Sequence, residues 1–352
     1  MSSVLDSTSA IPAKSNYFKS RGLWALAWRR LRANRVAMFS LAIVCAYLLM
    51  LVLSFTGLVA KHWDAEVGVN YAPPSFIGAD TASGQAATSD ANDLAPLPDN
   101  PVDPLKDIIH QLRAEAPQTA EVAAVRQPTL LFGADKWGHD IILKTIKGSE
   151  TSIIVGLVAA LLAVSIGTVL GAISGYFGGR VDALLEWFYN VFTSIPYLLL
   201  ILAIAAVLQQ KGIMAIILIL GLTGWTGTYR LLRAEYIKHR SREYVMAANA
   251  IGASHSRKMF IHIFPNVSHV PLVQLSLMVV GFIKAEVILS FLGFGVPVGV
   301  VSWGSMLNEA QNELILGKWW QMTAASVAMA LLVTAFSMFT DALRDALDPK
   351  LK

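Results

Sequence analysis

Charged side chains are scarce in the apolar stretches of this chain, so the few that occur there carry weight. Lys284 and Glu286 stand near the end of an apolar run, just before Val287, and Ser290 and Phe291 follow in the same stretch. A charge at membrane depth is costly and faces a bundle interior or a water-filled cavity. Lys284, Glu286, Ser290 and Phe291 are therefore the candidates for a gate over a solute pathway. The plainer expectation makes Lys284 and Glu286 a paired, solvated helix end. The two are too close in sequence to face each other on a regular helix, where partners stand three or four apart. A partner for Glu286 is expected from the irregular backbone after Gly293 or from another protein.

A second stretch, residues 243–266, is polar and basic between two apolar runs. Its pattern predicts a short helix, a glycine break and a second helix stopped by Pro265. Glu243 falls in the first turn after Ser241, where the helix dipole favours a carboxylate. Gly252 can take the left-handed conformation that ends a helix, and Ser254 can cap the next one. Ala247, Ala248 and Ala250 have no bulk, so another protein can approach the backbone. Tyr244, Arg257, Lys258 and Pro265 complete the candidate docking surface. The plainer alternative is a helical hairpin lying on a membrane surface.

Other chemistries are excluded. A phosphate-cradling G-x-x-x-x-G-K-[ST] loop occurs nowhere in the chain. Gly317-Lys318 has the wrong preceding residues and sits beside Trp319 and Trp320. The one cysteine, Cys45, forbids an intrachain disulfide and any metal site built on several cysteines. No cofactor, catalytic residue or metal ligand is expected on this chain, and no nucleic-acid partner.

Long apolar elements must position these residues. Of the 352 residues, 55% are hydrophobic and only 15% charged, with mean hydropathy +0.54. Soluble domains carry about 25% charged residues. The class is an all-α integral membrane protein with six transmembrane helices. They are expected at 36–60, 151–177, 187–208, 213–229, 267–283 or beyond, and 319–340, each near the ~20 residues a bilayer needs. His269, Pro271 and Gln274 interrupt the fifth, and Ser194-Ile195-Pro196 is expected to kink the third. In the second, Gly167, Gly171 and Gly175 repeat every four residues, a stripe that lets another helix approach closely.

Charge sets the orientation. The first 35 residues hold seven basic side chains against one acid, and residues 230–265 hold seven against two. Residues 61–140 hold five basic and twelve acidic ones. Basic loops stay in the cytoplasm, so both termini and the 230–266 loop are expected inside and the acidic loop outside. The domain division that follows is an amphipathic leader (1–35), a first span (36–60), an acidic extracytoplasmic loop (61–140), a five-helix core (141–345) and a tail (346–352). The first span is too long for a cleaved signal peptide. Residues 71–105 are too polar to bury much surface, and 105–115 shows helical spacing.

Several boxes carry a family resemblance. Ala247-Ala248-x-x-x-Gly252 with Pro265 thirteen residues on resembles the "EAA" loop of permease subunits in ABC importers, with Met246 at the motif's glutamate position. Residues 131–140, LFGADKWGHD, resemble the "LGTDxxGRD" box of the dipeptide, oligopeptide and nickel permeases, with His139 where arginine is usual. Residues 286–295 and 302–307 resemble the "ESxLSFLGLG" and "SWGxML" segments. The resemblance implies the second, "C"-type permease subunit of a type I importer in a bacterial inner membrane. It implies as partners a second permease, two ATPases that hold ATP and Mg, an extracytoplasmic binding protein, and membrane lipid. It implies peptides as cargo, with nickel chelates, glutathione or peptide antibiotics as alternatives. An ion-coupled secondary transporter would need paired repeats and buried carboxylates, of which Glu286 is the lone candidate. A passive scaffold would not need the helix–Gly–helix loop.

Overall fold

The computed structural model describes residues 23–78, 126–297 and 299–347. The start of the leader, the helix expected at 105–115, most of the acidic loop and the tail from 348 lie outside the described residues.

Helix α1 (Leu23–Ala33) is followed by α2 (Arg35–Phe55). Asn34 separates them and caps α2, its side-chain oxygen accepting from the backbone N–H groups of Val36 and Ala37 at 3.0 and 3.2 Å. The span expected to reach Ala60 ends at Phe55, because the chain turns at Thr56 and Gly57, whose φ is +73°. Helix α3 (Ile141–Phe177) starts ten residues before the expected Thr151. Asp140 caps it, accepting from Ile142 N–H at 2.7 Å. Hydropathy hides its first turns, which carry Lys144, Lys147 and Glu150. Its 37 residues give a rod of about 55 Å, longer than a bilayer core, so those polar turns have room to project beyond it.

The expected third span is not one kinked helix. It is two helices, α4 (Gly179–Thr193) and α5 (Tyr197–Leu208), meeting at 81°. Pro196 biases Ile195 away from helical geometry and so ends α4. Helices α6 (Ile213–Thr223) and α7 (Thr226–Arg240) continue as one span well past the expected end at Tyr229. Then come α8 (Glu243–Ala250), the short α9 (His255–Arg257), a π-helical turn at Lys258–Ile263, and α10 (Phe264–Val267). Helix α11 (His269–Phe291) is uninterrupted, because Pro271 falls in its first turn, where the missing N–H has no intrahelical partner to lose. Helices α12 (Trp303–Ile315) and α13 (Trp320–Leu347) complete the chain. Among the described residues five helices are long and apolar enough to cross a membrane, six if the bent α4–α5 pair is one span.

Helix α3 is the centre, packed against α7, α11, α6 and α2. Its glycine stripe lies on α7. A Cβ on Gly167, Gly171 or Gly175 would meet the carbonyl oxygens of Trp225, Tyr229 and Arg233 at 2.6, 2.7 and 2.5 Å. At one end of the bundle stand the 131–140 box and α12, with Trp320 Nε1 donating to the Ala134 carbonyl at 2.7 Å. At the other end stand the 243–267 segment, α1 and the end of α13, where Leu31, Ala37, Ala346 and Leu347 form a small core.

Candidate functional site

The 243–267 segment is built to be rigid. Val245 and Ala248 face inward on α8 and are buried, while Glu243, Ala247 and Ala250 are exposed on the opposite side. Tyr244 Oη lies 2.8 Å from His239 Nδ1, tying α8 to the end of α7. Gly252 has φ +78°. Its N–H donates to Asn249 O at 3.0 Å and that of Ala253 to Ala248 O at 3.0 Å, closing α8 in the left-handed manner expected. Ser254 Oγ accepts from Arg257 N–H at 3.3 Å.

Two expectations fail here. Pro265 does not stop the second helix. It sits exposed in the first turn of α10, where proline is tolerated, and the chain runs on into α11 after a one-residue break. Lys258 is not a docking side chain. It is 5% exposed, and its Nζ donates to Asn249 Oδ1 at 2.9 Å, pinning the second half of the loop to α8. Beneath both halves, Met259, Ile263 and Val267 pack on Leu232 and Tyr236 of α7. Arg257 remains exposed.

Glu286 lies on the inner side of α11 and is fully buried. Its carboxylate accepts from Ser152 Oγ of α3 and from Ser290 Oγ one turn on, each at 2.7 Å. Ser152 Oγ also accepts from Trp303 N–H at 3.3 Å. The solvated-pair expectation is overturned: Lys284 is exposed and Glu286 is not. The start of α12 reaches this turn, as expected of the segment after Gly293, but Ser152 was unforeseen. A Cβ on Gly304 would sit 2.5 Å from Ser290 Cβ, so α12 rests directly on α11 here. Phe291 is half-buried, and its carbonyl accepts from Asn308 Nδ2 at 2.6 Å. Hydroxyl donors and close packing thus replace a counter-ion.

A second polar cluster escaped the sequence reading. Lys144 Nζ donates to Asp135 Oδ2 and Glu309 Oε2, both at 2.6 Å, and Gln321 Nε2 donates to Met306 O at 3.1 Å beside it. Asp135 Oδ1 also accepts the backbone N–H groups of Trp137 and His139 at 2.8 and 3.0 Å. His139 Nδ1 is 2.9 Å from Asp135 Oδ2. Burial pushes the Asp135 carboxyl up, but the Lys144 charge and these hydrogen bonds outweigh it and hold it below the usual carboxylate range. Glu313 is buried nearby without a well-formed hydrogen bond to either oxygen, and burial pushes it up to about 7. The signal that could have found the cluster is the position of Lys144, one turn inside a capped helix start.

The two ends are linked. Arg233 of α7 grips Asp182 of α4 at two points, 2.6 and 2.8 Å, and Asp182 also accepts from Ser174 of α3. Helix α3 then runs from there past the glycine stripe to Ser152.

These features define a polytopic, all-α membrane component with an ordered loop at one end and buried polar seams toward the other. The chain matches the family model described as "Binding-protein-dependent transport system inner membrane component" over residues 167–352, and "N-terminal TM domain of oligopeptide transport permease C" over residues 22–74. It is 37% identical to the dipeptide transport system permease protein DppC of Bacillus subtilis (strain 168), over 63% of this chain and 69% of that protein. It is 35% identical to the oligopeptide transport system permease protein OppC of Haemophilus influenzae, over 62% and 70%. A solved chain of the MetNI methionine ABC transporter in inward-facing conformations gives a TM-score of 0.48 at 15% identity, covering 59% of this chain and 98% of that one. The chain belongs to the binding-protein-dependent transport system inner membrane component family, among the ABC-importer permeases of the peptide type.

Proposed function

We propose that this chain forms half of the translocation pathway of an ATP-driven importer that takes up peptides delivered by an extracytoplasmic binding protein. The second half is another permease chain. ATP and Mg belong to two ATPase subunits, consistent with the lack of a phosphate-binding loop in this sequence. The peptide class rests on the relatives, which are permease proteins of dipeptide and oligopeptide transport systems. The cytoplasmic side is assigned to the end bearing α1, α8 and the end of α13, because residues 230–265 hold seven basic side chains against two acids. The 61–140 loop then falls outside, and 141–345 is the permease core.

One observation carries the mechanism. Helix α8 is fixed to α7 through Tyr244–His239 and the buried base under Lys258. Helix α7 lies on the glycine stripe of α3, and α3 supplies Ser152 to Glu286. A pull on the exposed face of Glu243, Ala247 and Ala250, with Arg257 beside it, is thus passed through packed helices to the turn holding Glu286, Ser290 and Phe291. In this reading ATP binding draws the two loops together and opens that turn outward. Hydrolysis resets it.

Gly252→Pro tests the coupling role. Proline fixes φ near −65° and removes the N–H, so it cannot reproduce a φ of +78° or the bond to Asn249. Transport by the assembled importer should be abolished while membrane insertion persists. Wild-type transport by that variant overturns the assignment.

A further inference from the structure

Lys284 is a charge that the turn around Glu286 does not use. Helix α11 is long and apolar enough to cross a membrane, and Lys284 lies two turns, about 10 Å, before its end at Phe291. The side chain is exposed on a different face from buried Glu286, and it makes no hydrogen bond or ion pair among the described residues. Leu277, Gly281, Lys284 and Ile288 share that exposed face at steps of three and four, and Leu292 continues it past the helix end. Nothing lies within 4 Å of a Cβ added to Gly281, so there is open space beside the lysine. At the end of the stripe, Leu292 and Phe294 form one wall of a cavity of about 420 Å³, and the end of α5 forms the other. The polar groups of this cavity are Gln209, Gln210 and Lys211, and no acidic side chain lines it.

We propose that Lys211 and Lys284 are successive contacts for the C-terminal carboxylate of the peptide cargo, an assignment that rests on the transport reading and names the end of the solute that this chain selects. Two observations turn this side of the molecule away from lipid. A charged side chain within a span is costly in hydrocarbon and faces protein or a water-filled cavity. The break between α4 and α5 also leaves Thr193–Pro196 exposed midway along that pair, and non-helical backbone at membrane depth is tolerated only against protein or water. A third observation favours a moving solute over a fixed acid of a partner chain. A fixed acid needs one cation, whereas here two lie along one route. A carboxylate entering beside Lys211 can take amide bonds from Gln209 and Gln210. It then meets Lys284 about 12 Å farther in, measured along the helix from Leu292. Ile288 and Leu292 lie between and offer no competing side-chain charge. The gap at Gly281 leaves room for the solute beside the ammonium.

The test uses the assembled importer with its binding protein, saturated either with a peptide or with the same peptide amidated at its C-terminus. Wild type should import the free acid faster than the amide. Lys284→Met should lower that preference about tenfold, the order of one charge-assisted hydrogen bond, by slowing the acid and not the amide. Lys284→Arg should keep the preference, and Lys211→Gln should lower it in part. The binding protein is the same in every arm, so its own selectivity cancels between variant and wild type. Lys284→Cys in a Cys45→Ala background should also react with a small charged thiol reagent in the purified complex, because a thiol held in apolar surroundings stays protonated and inert. Absence of any peptide uptake by wild type sinks the transport reading itself. Uptake with no preference in wild type, or with a preference unchanged by Lys284→Met, overturns the carboxylate contact alone. Loss of the second permease from the purified Lys284→Met complex would give the lysine a fixed acid as its partner and overturn it too. An unreactive Lys284→Cys would set the side chain against lipid, with the same consequence.

Discussion

Glu286 shows how a single side chain joins three elements. It has no cation within reach among the described residues, and takes hydroxyl bonds from Ser152 and Ser290 instead. Glu286→Gln keeps the shape and removes the charge. Transport and binding-protein-stimulated ATP hydrolysis by the assembled importer should both fall, while basal hydrolysis survives. Glu286→Ala should in addition destabilise the chain by about 1–3 kcal/mol, because buried hydroxyls lose their acceptor. Wild-type behaviour of both variants in both assays sinks the gate. Glu313 makes a pH prediction. Its carboxyl is raised to about 7 in the fold, burial first among the causes, so the folded chain binds the extra proton. That contribution to stability is complete below the ordinary carboxylate range and is lost as pH rises toward and through about 7. Glu313→Gln should therefore raise the Tm at pH 8 relative to wild type, with the difference shrinking toward pH 5. A difference that grows as pH falls contradicts the assignment. Glu286 was legible because a lone carboxylate in an apolar run must be accounted for. Ser152 was not, since a serine in such a run carries no local signal. Lys258 was misread for a related reason: its charge suggested exposure, and only the π turn brings it inward against Asn249.

At the scale of elements, hydropathy located five continuous spans, placed a sixth where the structure has the bent α4–α5 pair, and missed where several of them stop. The polar first turns of α3 read as loop, although Asp140 caps a continuous helix through Lys144 and Lys147. Pro196 read as a kink within one helix, although the chain breaks into two helices at 81° there. Periodicity reports burial against neighbours in sequence, whereas these boundaries are set by caps and by partners distant in sequence. The glycine stripe was the exception, because a spacing of four states its own geometry. That makes it testable. A side chain at Gly171 would meet Tyr229 O at 2.7 Å and Leu232 Cβ at 2.9 Å, both on the facing helix. Gly171→Val should lower stability by about 1–3 kcal/mol through overpacking, visible as a lower Tm in detergent. Gly281→Ala is the control. It is exposed on α11 with nothing within 4 Å of the added carbon, and it should match wild type. Equal Tm values for all three chains refute the close approach of α3 and α7.

For the whole molecule, sidedness is the property on which the transport reading depends. The contacts sort the chain into two ends without saying which faces the cytoplasm. Trp320 bonds to Ala134 at one end, and Leu347 packs with Leu31 at the other, where α8 also lies. The proposed sidedness rests on charge, since 61–140 carries twelve acids against five bases and 230–265 seven bases against two acids. The prediction takes two single cysteines in a Cys45→Ala background, because Cys45 is exposed on α2 and would report on its own. Ser89→Cys lies in the acidic loop, outside the described residues. Ser256→Cys lies on the exposed surface of α9, at the opposite end. In intact cells a membrane-impermeant thiol reagent should label Ser89→Cys and spare Ser256→Cys. After lysis both should react. The reverse pattern would put α8 outside, where no cytoplasmic ATPase could reach it, and the coupling role of the loop would fall with it. Labelling of both sites in intact cells would break the opposition of the two ends itself, and with it the path from α8 through α7 and α3 to Glu286.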